Sequence, residues 1–227
     1  MQGKIEQREA INMKHEQIKR GADCVLASAG LVLLLPILAG SAVLCATAGE
    51  GIFYRQERIG RYGVPFQICK FRTMRRNTPI LPHAKLTDPA RYCIPGGAFL
   101  RSTGIDELPQ LWNVLKGEMS LIGPRPLLPT EGGIHRMRER SGVYALRPGI
   151  TGLSQLCGDL PATVKSKIDG IYWENRSILL DCAIIWGTLA LLARRQAEKG
   201  SSTVAGIAKI LLNIYKSTCI LSQNVVS

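Results

Sequence analysis

A chain of 227 residues, 46% of them hydrophobic, is long enough for one sizeable core with attachments. Its net charge of +12 calls for an anionic partner: nucleic acid, anionic lipid or phosphorylated substrate. Aromatics at 6%, not interleaved with the cations, argue against a single-stranded nucleic-acid surface. The seven scattered cysteines, with no C-x-x-C among them, give neither a metal site nor a redox pair and fit a reduced, cytosolic setting.

Met1 to Gly21 is polar and mixed in charge, ending near Lys19-Arg20. Ala22 to Ala48 is then apolar, with Asp23 its single charge. A straight helix of that length would run about 40 Å, enough to cross a bilayer, and it begins too late to be a cleaved leader. Pro36 interrupts it, removing a backbone hydrogen bond and crowding the preceding turn. Both flanks are basic, with Lys14, Lys19 and Arg20 before and Arg55, Arg58, Arg61, Lys70 and Arg72 after. A spanning helix usually concentrates its cations on one side. On charge and proline alone, a kinked span and a bent helix that enters and leaves by one face are equally good readings.

Ile52-Phe53-Tyr54 and Phe66-Gln67-Ile68 read as strands, joined by a turn at Gly60-Arg61-Tyr62-Gly63. Asn77 to Gly97 reads as loop. The next segment, Asp106 to Gly117, reads as a helix with Leu108, Leu111, Trp112 and Leu115 in one buried stripe and Gly117 as its stop. Thr103 and Asp106 fit a capping box, and acids suit a first helical turn; on this segment alone, that plain structural reading is preferred. Gly123-Pro124-Arg125-Pro126 is too proline-rich for a helix. Glu131 to Arg140 reads as a charged, exposed helix, and Arg147 to Gly152 as a rigid basic turn. Ala162 to Asn175 is helical, with Val164, Ile168, Ile171 and Tyr172 on one side. Ser177 to Arg195 is apolar but short for a span and carries Asp181, so it should lie against the membrane or the core. Val204 to Tyr215 repeats that character.

The adjacent carboxylates Asp106 and Glu107 stand in a chain rich in cations. Arg suits phosphate because its planar fork donates two parallel hydrogen bonds. Phosphoryl transfer between anions needs charge neutralisation, usually by Mg²⁺ on a carboxylate together with cationic side chains. A second carboxylate could attack phosphorus, and neighbours diverging by about 100° on a helix can take separate jobs. His15, His83 and His135 are scattered and read as solvated, which argues against a histidine mechanism.

Several stretches together resemble the bacterial sugar transferase family, the monotopic polyprenyl-phosphate phosphoglycosyl transferases. They are Phe53-Tyr54-Arg55-Gln56-Glu57-Arg58-Ile59-Gly60, Lys70-Phe71-Arg72-Thr73-Met74, Asp106 to Gly117, Ser120 to Pro126, Arg147 to Gly152 and Tyr172 to Asp181, in the family's order over roughly residues 19–195. The resemblance overrides the plain reading of Asp106. It implies transfer of a sugar 1-phosphate from a UDP-sugar to undecaprenyl phosphate, with release of UMP and with Mg²⁺. Asp106 matches the family's nucleophile and Glu107 its metal-associated partner. Arg101, Arg125 and Arg147, with Lys70 and Arg72 in their own motif, match positions expected to hold phosphates. Lys19, Arg20 and Pro36 match a re-entrant membrane helix. The resemblance thus implies a bacterial inner membrane location, with the catalytic domain on the cytoplasmic face. Its partners would be membrane lipids and the two substrates, without nucleic acid; a homodimer is left open.

The expected fold is α+β and mostly helical, with a re-entrant helix (22–48), a small β-hairpin and membrane-surface helices in one compact catalytic domain (49–195). A polar segment (1–21) precedes these and an amphipathic extension (196–227) follows. Departures from the family pattern are Leu35 where a Ser often precedes the breaking proline, Arg101-Ser102-Thr103-Gly104-Ile105 before the acid pair, and Cys157-Gly158-Asp159 where an Asn-Gly-Arg often stands. The short 74–97 loop looks more like members that handle N-acetylated amino sugars, with galactose or glucose as alternatives. The rival function is a non-catalytic basic protein that binds anionic lipid or glycan-assembly enzymes.

Overall fold

Pro36 does break the apolar helix. In the computed structural model, which describes residues 2–78, 89–158 and 160–197, helix α1 covers Gln2–Leu33 and α2 covers Leu35–Thr47. The stretches His15–Leu33 and Leu35–Thr47 meet at 65°. Proline near the start of α2 has no N–H to offer the preceding turn, so the α1 hydrogen-bond ladder cannot continue through it. Among the described residues no single helix is long and apolar enough to cross a membrane, although this bent pair passes that test together. Val25, Val32, Leu33, Leu35 and Val43 point outward around the bend.

One stripe of α1 faces inward. Glu16 pairs with Arg147 at 2.8 Å, and Lys19 with Asp181 at 3.1 Å. Arg20 donates to the carbonyls of Val114 and Leu115, Asp23 accepts from the Leu121 amide, and Ala27 is fully buried. These positions recur three or four residues apart, the spacing of one helical face. Lys19 and Arg20 therefore bolt α1 to the rest of the fold.

The hairpin pairs β1 (Phe53–Ile59) with β2 (Pro65–Phe71), in antiparallel register with Tyr54 opposite Lys70 and Arg58 opposite Phe66. Phe66 and Ile68 pack with Ala27, Leu111, Val114 and Met119 in one core cluster. Cys45, Phe71, Ile94 and Leu100 form a second cluster under α2. Helix α3 (Gly97–Thr103) and α4 (Gln110–Lys116) follow the hairpin.

The Arg147 to Gly152 stretch differs from expectation. It contains strand β4 (Gly149–Thr151), which lies parallel to β3 (Ser120–Ile122). The two backbones approach so closely that a Cβ on Gly149 would sit 2.1 Å from the Gly123 nitrogen. Glycine there is a steric requirement of the pairing. Helix α5 (Gly132–Arg140) is charged as expected but not wholly exposed, because Arg138 is 3% exposed and pairs with Asp169.

After the short α6 (Leu153–Leu156), α7 (Ala162–Asn175) has the predicted bounds, but Val164 is exposed and the inner face includes Ser166 and Asp169. Helix α8 (Ile178–Ala197) buries Asp181 and Ile184 and turns Ile178, Leu179, Trp186 and Leu189 outward. Asp181 accepts from Tyr172 at 2.6 Å. Two histidines are not solvated: His15 is buried 3.7 Å from Asp181, and His135 is held between Tyr144 and the Leu128 carbonyl. The expectations for His83, Asp159, Cys219, the Val204 to Tyr215 helix and the extension beyond Ala197 lie outside the described residues.

Candidate active site

The two adjacent acids do not open a long helix. Gly104, at φ 75°, ends α3 in the left-handed conformation and swings the chain into a single 3₁₀ turn, Ile105–Glu107. Thr103 is no N-cap: its hydroxyl donates back to the Phe99 and Leu100 carbonyls in the last turn of α3. Helix α4 starts only after Pro109, which rotates its inner face to Leu111 and Val114 and leaves Trp112 56% exposed. The expected stripe with a buried Trp112 is corrected accordingly.

Helix α4 is fixed at its far end. Arg20 holds the carbonyls of Val114 and Leu115, and Arg147 donates to the Gly117 carbonyl at 3.0 Å. Both cations suit the negative end of the helix. Asn113, 2% exposed, ties the middle of α4 to β2, accepting from the Cys69 amide at 3.0 Å and donating to the Gln67 carbonyl at 2.7 Å. That link places Lys70, the next residue of β2, against the acid turn, where its ammonium pairs with Glu107.

Asp106 is 9% exposed. Burial and then the neighbouring Glu107 charge push its carboxyl from an ordinary 3.8 up to about 6, while Lys70 and Arg101 pull it back. Arg101 reaches from the last turn of α3, also touching the Met74 sulfur. The Arg125 charge acts on Arg58. The Arg58 guanidinium has its pKa lowered by burial and then by Arg125, while Glu131, Tyr54 and Glu107 raise it. Arg72 donates to the Phe53 carbonyl and lies over the Tyr54 ring.

The structure thus gathers Lys70, Arg101, Asp106 and Glu107, with Arg72 over the Tyr54 ring and Arg125 acting on Arg58. It does not bring Arg147, Lys19 or Arg20 to them, since Arg147 binds the opposite end of α4 and Glu16. Pro36 lies at the helix bend. Arg58 is the residue that sequence reasoning passed over as a flanking charge. The signal was the strand alternation: Tyr54, Gln56 and Arg58 share one face, and the register sets Lys70 on that face too.

Among the described residues no three His, Cys, Asp or Glu side chains converge. A divalent cation here would rest on one or two carboxylates and take its remaining ligands from substrate. Mg²⁺ commonly behaves in this way with phosphates, so the donor set fits, provided that Glu107 exchanges its Lys70 contact.

A titration follows from the Asp106 environment. Its carboxyl should titrate near pH 6 when followed by isotope-edited NMR, and Glu107→Gln should move the midpoint down by removing a like charge. Because the folded pKa lies above 3.8, the folded state binds this proton more tightly. The group's contribution to stability therefore falls as pH rises from about 4 to about 6 and is level above that.

A family profile described as bacterial sugar transferase matches residues 14–195. The chain is 35% identical over 192 residues to the exopolysaccharide production protein ExoY of Rhizobium meliloti, covering 75% of this chain and 83% of that one. It is 35% identical over 196 residues to the UDP-galactose-lipid carrier transferase of Erwinia amylovora, covering 78% of this chain and 41% of that one. It is 36% identical over 183 residues to the UDP-glucose:undecaprenyl-phosphate glucose-1-phosphate transferase of Klebsiella pneumoniae, covering 75% and 39%. The chain therefore spans about two fifths of the length of the last two proteins.

Proposed function

This chain belongs to the bacterial sugar transferase family, and from that premise we propose that it transfers a sugar 1-phosphate from a UDP-sugar to undecaprenyl phosphate, releasing UMP, in exopolysaccharide synthesis. The observation that carries the reading is a buried Asp106 beside Glu107, with Lys70 paired to Glu107 and the charges of Lys70 and Arg101 acting on Asp106. A binding module has no need of an acid held in that environment.

The ionised Asp106 attacks the sugar-bearing phosphorus of the donor. A P–O bond to its carboxylate forms, the bridging P–O bond breaks, and UMP leaves with the electron pair. An oxygen of undecaprenyl phosphate then attacks the same phosphorus and releases the carboxylate. Arg58, Arg101, Arg125 and Lys70 offset the charge of the phosphates and orient them. Glu107 would hold Mg²⁺, which supplies charge neutralisation at the transferred phosphoryl group when bound.

Of the three relatives described above, two are named for galactose and for glucose, so UDP-galactose and UDP-glucose head the donor panel, ahead of N-acetylated amino sugars. In this reading the α1–α2 pair is re-entrant in the bacterial inner membrane and the acid turn lies on its cytoplasmic face; the bend of that pair and the outward Leu179, Trp186 and Leu189 of α8 support it.

The test is UMP release from purified protein in nanodiscs supplied with undecaprenyl phosphate, Mg²⁺ and each UDP-sugar in turn. Lipid-dependent release from one donor is expected. Binding of anionic vesicles with no turnover on any donor, beside an active relative, would favour a lipid-binding protein instead.

A further inference from the structure

The segment that presents Arg125 is held by its carbonyls. Pro124 and Pro126 have no N–H, so residues 124–128 cannot form an ordinary ladder, and each carbonyl is met by a separate donor. The Gly149 amide donates to Pro124 at 2.9 Å, Arg138 to Arg125 at 2.7 Å and Arg58 to Pro126 at 3.1 Å. The Ile59 amide donates to Leu127 at 2.9 Å and His135 Nε2 to Leu128 at 2.8 Å. Arg138 differs from the other donors. Its guanidinium is 3% exposed and its second nitrogen pairs with Asp169, itself 1% exposed, on α7.

A buried ion pair is, on average, no better for stability than a well-packed apolar pair of similar volume. The Arg138–Asp169 pair does something that an apolar pair cannot. The planar fork, locked by Asp169 on one side, delivers an N–H at a fixed place to the Arg125 carbonyl on the other. The Arg125 side chain is exposed and electrostatically coupled to Arg58, which in turn is coupled to Glu107. Burial and the Arg125 charge lower the proton affinity of Arg58, so an anion set between the two guanidinium groups would be favoured.

We propose that Arg138, locked by Asp169, is a positioning residue that sets Arg125 for the donor's phosphates. This rests on the sugar-phosphate transfer reading above. Arg138→Met with Asp169→Leu removes the donor and both buried charges together. Arg138→Lys is the second variant, keeping a charge beside Asp169 with a compact head that cannot span both partners.

The experiment is a double-mutant cycle with Arg125→Ala, read as kcat/KM for the UDP-sugar, with hydrogen exchange of residues 123–129 followed in the same proteins. Either Arg138 variant should lose about tenfold or more in kcat/KM when Arg125 is present and less than about twofold when it is absent. Exchange should rise in 123–129 and stay level elsewhere. Equal losses in both backgrounds, no loss in either, or unchanged exchange in 123–129 would overturn the proposal. If the wild type turns over no donor, the transfer reading fails, and the exchange result alone still decides whether Arg138 fixes the segment.

Discussion

Asp106→Asn is expected to abolish transfer, by at least about 10³-fold, while raising stability at pH 8. In the proposed mechanism the loss follows from chemistry: an amide cannot form the acyl phosphate, and removal of a covalent nucleophile ranks among the largest single losses an enzyme can suffer. The gain follows from the site's electrostatics. At pH 8 the protein holds an ionised carboxylate where burial and Glu107 both oppose the charge, with its pKa raised from 3.8 to about 6. That displacement corresponds to at most about 3 kcal/mol of destabilisation above pH 6. A neutral isostere relieves it, which in a chain of this size is worth several degrees of melting temperature. The measurement pairs UMP release with thermal unfolding at pH 8 and pH 4. At the lower pH, where Asp106 is largely protonated in the folded protein, the stability difference should shrink. A melting temperature that drops equally at both values would mean that Asp106 holds the fold together and is not a strained functional acid.

Asp169→Ala should cost about 3–5 kcal/mol, because it strands the Arg138 guanidinium at 3% exposure with no anion beside it. The melting temperature should fall by roughly 6–20 °C. Arg138→Ala should cost a similar amount. Burial already raises the Asp169 carboxyl, and Arg138 is the main influence holding it down. The combined Arg138→Met, Asp169→Leu protein should unfold near the wild-type temperature, since it carries no orphaned charge. Thermal scans of the three variants separate the penalty for breaking the pair from its net worth. A double variant as unstable as either single one would show that the pair itself stabilises the fold.

The elements that the sequence announced were those governed by local rules. Alternation and the Gly60–Gly63 turn marked the hairpin. The 3.6-residue period marked α7 from Ala162 to Asn175. Pro36 marked the bend between α1 and α2 through its missing N–H. The acid pair was legible for its type and neighbours, although the capping reading failed because Gly104 ends one helix before another begins. A stripe counted from Leu108 turns Trp112 inward, whereas the helical phase starts after Pro109 and turns it outward.

Tertiary structure decided which cation does what. A guanidinium on a long flexible stem has no local rule for its partner, and here the partners are far away along the chain. Arg20 meets carbonyls of α4, Arg147 meets Gly117 and Glu16, and Arg138 meets Asp169. Three basic residues that look alike in sequence therefore became helix caps and a buried strut, while strand register set Arg58 on the hairpin face that carries Lys70. By itself the sequence determined the membership in a family, the acid pair, the hairpin, the Pro36 bend and α7, because periodicity and turn chemistry act over a few residues. Only the folded chain decided the burial of Asp106 and the assignment of each arginine, because desolvation and charge pairing depend on what distant segments bring alongside.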